Sequence, residues 1–135
     1  MATYASSHAD VRVLVVDDNS DTLDLDEMLF RSRGADVRVA RDGHTALGLT
    51  DAWLPSILVT ELYLPDMSSF ALIGSLRSRI LPGSVLKVII ATSRARLQDR
   101  LRASEAGFDA FFPKPVDLDA LLRAAGMPLS PFRVG

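Results

Sequence analysis

Asp17 and Asp18 stand side by side after the apolar run "VRVLVV" (residues 11–16), and Glu61 sits where "SILVTEL" (56–62) runs out. Thr92 and Ser93 close "VLKVIIAT" (85–92), and Lys114 lies between Pro113 and Pro115, just after "DAFF" (109–112). Three carboxylates gathered in one place repel each other, which is costly unless a cation sits among them. A hard divalent ion such as Mg²⁺ suits carboxylate and carbonyl oxygens. Lys114 adds a fixed positive charge and Thr92 a hydroxyl donor. Metal, ammonium and hydroxyl together form a cradle for a phosphoryl group. Taken singly, each residue has a plainer use: the aspartates cap a helix, the lysine is solvated, the threonine satisfies a loop. What argues for a shared site is that four polar groups each follow an apolar run.

The elements that must position these groups are legible in the flanking pattern. "VRVLVV" is a Val-rich strand, followed by a helix capped by Asn19 or Ser20 and closed near Gly34, with Leu25, Met28 and Leu29 as its apolar stripe. "ADVRVA" (35–40) alternates as a strand near a sheet edge does, and a helix from about His44 to Ala52 follows. "SILVTEL" and "VLKVIIAT" are nearly all apolar, as strands covered on both faces are. Helices are expected over 69–80, 96–106 and 116–125, capped by Ser68 or Ser69, ended by Gly107, and capped by Asp117 respectively. Strand–helix alternation argues an α/β fold with helices on both faces of a parallel sheet. In such sheets ligands bind beyond the carboxyl ends of the strands, where this reading puts Asp17, Asp18, Glu61, Thr92 and Lys114.

The chain has 135 residues, fitting one domain over 10–125, with a loose tail at 1–9 and a tail or linker root at 126–135. A net charge of -2 gives no global electrostatic case for nucleic-acid or membrane binding. No apolar run approaches the ~18 residues of a membrane helix. Cysteine is absent, which removes disulfide and thiol chemistry and is compatible with a cytoplasmic location. "GHTALGLT" (43–50) has P-loop glycine spacing, but Leu49 stands where the phosphate-binding lysine belongs. Adjacent acids followed by Asn19 also argue against a phosphatase, whose nucleophilic Asp has a second Asp two residues on. His8 and His44 have no ligand partner at a helical or strand spacing.

"VLVVDDN", "ARDGHTAL", "LYLPDM", "VIIATS" and "AGFDAFFPKP", in this order and spacing, make the sequence similar to the receiver domain of two-component response regulators. The resemblance spans about residues 10 to 125. It implies a flavodoxin-like (βα)5 fold, a parallel sheet of order 2-1-3-4-5, and a non-enzymatic signalling role. By that resemblance Asp17 and Asp18 would hold Mg²⁺, the Tyr63 backbone carbonyl would join them, Thr92 would bond a phosphoryl oxygen, and Lys114 would pair with the phosphoryl group. The acceptor, an aspartate in the family, falls at Glu61, which would also touch the metal. Ser68 and Ser69 replace an acidic–Gly pair, and Phe111 stands where the family often has a switching Tyr.

A glutamate carries its carboxylate up to ~1.5 Å further out than an aspartate. In-line transfer loses roughly a hundredfold per Å of misplacement, so Glu61 suggests a module that acts without phosphorylation. Its longer arm would also let it reach Lys114 and the Thr92 hydroxyl directly. The alternative is a working receiver that binds Mg²⁺ and takes a phosphoryl group from a histidine kinase. Asp66 is a poor substitute acceptor because it should point into the loop, and Thr60 faces the other side of its strand. Partners are expected to be proteins, a kinase or an output protein. A homodimer through the fourth helix, fifth strand and fifth helix would pair Arg96 and Arg100 with Asp109 and Asp119.

Overall fold

The structure, a computed structural model, describes residues 11–131. The expected tail at 1–9 lies outside these residues, as do the last four of the segment 126–135. Five strands, β1 (Arg12–Val16), β2 (Asp36–Ala40), β3 (Ile57–Thr60), β4 (Lys87–Thr92) and β5 (Ala110–Pro113), pair in parallel in the order β2-β1-β3-β4-β5. Five helices alternate with them: α1 (Ser20–Arg31), α2 (Gly43–Leu49), α3 (Ser69–Arg79), α4 (Leu97–Ala106) and α5 (Leu118–Ala125). This is the flavodoxin-like (βα)5 fold. Among the described residues no helix is long and apolar enough to cross a membrane.

Strand side chains alternate between two cores because successive residues point to opposite faces. Leu14, Val16, Leu58, Val88 and Ile90 pack under α2, α3 and α4 with Leu72, Ile73, Leu76 and Ala103. Val13, Val15, Ile57, Val59 and Ile89 pack under α1 and α5 with Leu23, Phe30, Leu121 and Leu122. Both faces of the central strands are thus covered, which is why their sequences are almost uninterruptedly apolar.

Helix starts follow side-chain caps. Asn19 accepts from the Thr22 N–H, Asp42 from Thr45, Ser68 from Ala71, and Asp117 from Asp119 and Ala120. Each satisfies donors the first turn leaves orphaned. Gly34 and Gly107 take positive φ just past α1 and α4, a conformation that a side chain would strain.

Two elements depart from the sequence pattern. The stripe expected on α1 does not hold: Leu29 is buried, but Leu25 and Met28 are 43% and 64% exposed. The inward face is Leu23, Asp26, Leu29 and Phe30, so an acid occupies a position where apolarity would have marked the register. The second helix is shorter than expected and ends at Leu49, where Thr50 turns its hydroxyl back onto the Leu47 carbonyl. In the segment after α5, Gly126 caps the helix in the left-handed region and Met127 is buried against the α1–α5 core.

Candidate functional site

The last rungs of the sheet ladder assemble the site. The Asp17 N–H donates to the Ala40 carbonyl, the Glu61 N–H to Val16, and the Lys114 N–H to Thr92. Glu61 is therefore anchored to the residue just before Asp17, and Lys114 to Thr92. Lys114 then reaches across: its Nζ lies 2.6 Å from Asp17 Oδ2 and 3.3 Å from Glu61 Oε1. Asp17 is 2% exposed, and Thr92 and Glu61 are also buried. The peptide bond from Lys114 to Pro115 is cis.

Each carboxylate has further partners. Asp17 Oδ1 accepts from the Asn19 N–H at 3.0 Å. Glu61 Oε2 accepts from the N–H of its own neighbour, Leu62, at 2.5 Å. Burial alone would lower the Lys114 pKa, but the hydrogen bond with Asp17 and the charges of Asp17 and Glu61 outweigh it and raise it. One ammonium is thus shared by two buried carboxylates.

The structure corrects two expectations here. Asp17, Asp18 and Glu61 do not converge as a trio; among the described residues no three acidic or histidine side chains are grouped so as to hold a metal. Asp18 stays on the surface, where its backbone carbonyl accepts from Arg41. The physical reason is mutual repulsion, which Lys114 relieves for the two buried acids only. Glu61 does reach Lys114, but the Thr92 hydroxyl is engaged elsewhere, accepting from the Arg94 N–H at 3.0 Å.

A divalent cation still suits the donor set, because Mg²⁺ is commonly held by only one or two carboxylates plus substrate phosphate oxygens. Asp17 and Asp18 supply such a pair at one strand end. The Tyr63 carbonyl is also spared by the small bridge between Tyr63 and Ser68, whose flanking bonds use the Leu62 carbonyl and the Leu64 N–H.

The contact between Tyr63 and Asp99 escaped the sequence reading. Tyr63 donates its hydroxyl to the buried Asp99 at 2.5 Å, and the Arg94 guanidinium stacks over the Tyr63 ring at 4.9 Å. These contacts tie the loop after β3 to the start of α4; Asp99 had only its place among arginines to mark it. Asp66 turns away from Lys114 and accepts from the N–H groups of Gly43 and His44, both at 2.9 Å, and from the His44 ring. These bonds, the one from Gly43 foremost, hold its carboxyl well below the usual range. His44, which has no ligand partner at a helical or strand spacing, is exposed but paired with Asp66. Asp109, expected at a dimer face, instead accepts from the Val88 N–H at 2.7 Å, at the opposite end of the sheet. Asp26, on the inward face of α1, was not singled out at all.

A sheet of order 2-1-3-4-5 with acids after β1, a carboxylate after β3, a hydroxyl after β4 and a lysine after β5 defines a receiver-type site. The sequence matches the family described as "Response regulator receiver domain" over residues 13–126. The chain belongs to that family. It is 42% identical over 116 residues to an uncharacterized 14.6 kDa protein encoded in the sodA1 3′ region of Leptolyngbya boryana, covering 85% of this chain and 87% of that one. It is 33% identical to the probable transcriptional regulatory protein TcrX of Mycobacterium tuberculosis, covering 87% of this chain but only 52% of TcrX, about half its length. A crystal structure of a response regulator from Burkholderia pseudomallei, with a phosphorylated aspartic acid, a calcium ion and citrate, matches with a TM-score of 0.75 at 27% identity, covering 86% of this chain and 66% of that one.

Proposed function

We propose that this chain is a working receiver: it takes a phosphoryl group from a histidine kinase onto the Glu61 carboxylate and passes the signal on by protein contact. The observation that carries this reading is Lys114, poised 3.3 Å from Glu61 and 2.6 Å from Asp17 at the carboxyl edge of the sheet. The relatives support it over the phosphorylation-independent module that Glu61 suggests in sequence. TcrX is described as a regulator, and the Burkholderia protein carries a phosphorylated aspartate with a divalent ion.

In this reading a Glu61 oxygen attacks phosphorus, the bond from phosphorus to the kinase imidazole breaks, and an acyl phosphate forms. Lys114 would shift its pairing from the carboxylate to the phosphoryl oxygens, as a fixed charge aimed where negative charge accumulates. The Thr92 hydroxyl keeps its proton free to donate while it accepts from Arg94. Asp17 and Asp18, with the Tyr63 carbonyl, would hold a Mg²⁺ ion that neutralises phosphoryl charge. The extra methylene of Glu61 sets the group ~1.5 Å further out, and transfer should be slower than to an aspartate by up to about a thousandfold.

A second reading has its own observation: both Glu61 oxygens are already engaged, one by Lys114 and one by the Leu62 N–H. The side chain then blocks the switch and the fold serves as a phosphorylation-independent contact surface. Incubation with phosphoramidate and Mg²⁺, followed by intact-mass analysis, separates the two. The working receiver predicts slow labelling of the natural chain, faster labelling of Glu61→Asp and none of Glu61→Gln. Labelling of Glu61→Asp alone would overturn it and leave the second reading. A beryllofluoride and Mg²⁺ titration followed by amide NMR reports the same split at Thr92, Lys114 and α4.

A further inference from the structure

The sheet face covered by α1 and α5 holds a groove of about 410 Å³ that takes no part in the arrangement above, apart from the Lys114 side chain in its wall. Its volume lies at the low end of the ~300–1,000 Å³ typical of small-molecule sites. Leu25, Ala91, Pro115, Val116, Leu118 and Leu121 make the walls predominantly apolar. Three polar side chains interrupt them: Thr22, Asp26 and Lys114. Lys114 is already committed to Asp17 and Glu61.

Asp26 is not committed. It is 6% exposed, yet among the described residues its carboxylate enters no hydrogen bond and no ion pair. Its oxygens are not sealed from solvent, and an ionised carboxylate lining an apolar groove gains from a donor or a cation brought to it. Burial first, then the charge of Asp17, pushes its carboxyl up to about 6 against the pull of Lys114, so at neutral pH it is largely ionised. The groove therefore presents apolar walls and one negative charge lacking a direct partner. Thr22 stands one helical turn before Asp26, so its hydroxyl and the carboxylate share a face.

We propose that this groove is a binding site for a small primary amine, with a compact apolar body against the walls and its ammonium on the Asp26 carboxylate. The charge selects for a cation and the apolar walls select against a strongly hydrated inorganic ion. An ammonium has three donors and no acceptor, which matches a carboxylate beside a hydroxyl. The site does not depend on phosphorylation of Glu61. Because Lys114 forms part of the wall, its occupant bears on the side chain that holds Glu61.

The test is an amide NMR titration of the natural chain at neutral pH with benzylamine, run beside benzyl alcohol, which keeps the ring and drops the charge. Expected are saturable shifts clustered at Thr22, Leu25, Asp26, Val116 and Leu118 with benzylamine. Benzyl alcohol, and benzylamine on the Asp26→Asn variant, should each bind at least about tenfold more weakly, the size of a lost charged hydrogen bond. Absence of saturable shifts, shifts spread over the other acidic residues, or equal binding of the alcohol would overturn the proposal. Should Asp26→Asn not fold, the comparison of amine with alcohol on the natural chain decides alone.

Discussion

Burial pushes the Lys114 ammonium toward its neutral form, and the hydrogen bond and charges from Asp17 and Glu61 more than reverse that push. A lysine proton held more tightly in the folded chain contributes stability that is fully present below pH 10.5 and is lost as the pH rises through the folded value. Replacing Lys114 by Met would leave two buried carboxylates without a counter-charge. We expect about 3 kcal/mol of lost stability at neutral pH in urea melts; a variant as stable as the natural chain would show the bridge to be idle. Asp26 is shifted in the same direction, but there folding favours the neutral form. Its folded value of about 6 lies above the ordinary 3.8, so its contribution is fully present below pH 3.8 and disappears as the pH rises through about 6. At pH 7 the charged Asp26 costs about 3 kcal/mol. Asp26→Asn should therefore stabilise the chain at pH 7 and change little near pH 3.5. Equal effects at both values would mean that Asp26 is not held in an unfavourable environment.

At the scale of elements, four of the five helix starts are capped by one side chain, α4 being the exception, and these signals survive in sequence because they are local. Asp117 could be named in advance, and Asn19 and Ser68 each as one of two neighbouring candidates; all three cap their helices. Asn19→Ala should cost about 1 kcal/mol of stability, read as a lowered thermal midpoint with the fold otherwise intact. An unchanged midpoint would show that solvent replaces the cap without loss. The strand ends were legible for the same reason: an apolar run stops where a polar residue begins, and the ladder bonds from Asp17, Glu61 and Lys114 follow from that. What stayed hidden depends on tertiary partners. The register of α1 was misread because Asp26 fills an inward position and left Leu25 and Met28 as the apparent stripe. The trio of Asp17, Asp18 and Glu61 does not group, because Lys114 pairs with Asp17 and Glu61 only, a partnership that the fold creates and the sequence does not display. The Tyr63–Asp99 bond joins residues whose proximity only the folded loops create.

For the whole molecule, the open question is which face meets a partner, and α4 has the clearest charge imbalance. Leu97 and Leu101 lie one turn apart and both are exposed. Around them Arg94, Arg96, Arg100 and Arg102 form no ion pair among the described residues; Arg94, Arg100 and Arg102 lie instead over the rings of Tyr63, Phe111 and Phe70. Of the acids that might offset them, Asp99 accepts from Tyr63 and Asp109 from the Val88 N–H at the far end of β5, which leaves the exposed Glu105 of α4 against four arginines. Two copies meeting through this face would bring arginines toward arginines, and like charges in contact weaken association. The face is better suited to an acidic partner surface with an apolar centre that receives the two leucines. Sedimentation of the isolated chain should therefore show monomer at low salt, with any self-association growing as salt screens the arginines. Arg96→Glu should promote dimerisation by placing an acid opposite Arg100 of a second copy. Tight dimers at low salt that salt dissolves would reverse the argument, pointing to a two-fold interface in which Asp119 supplies the missing pairs.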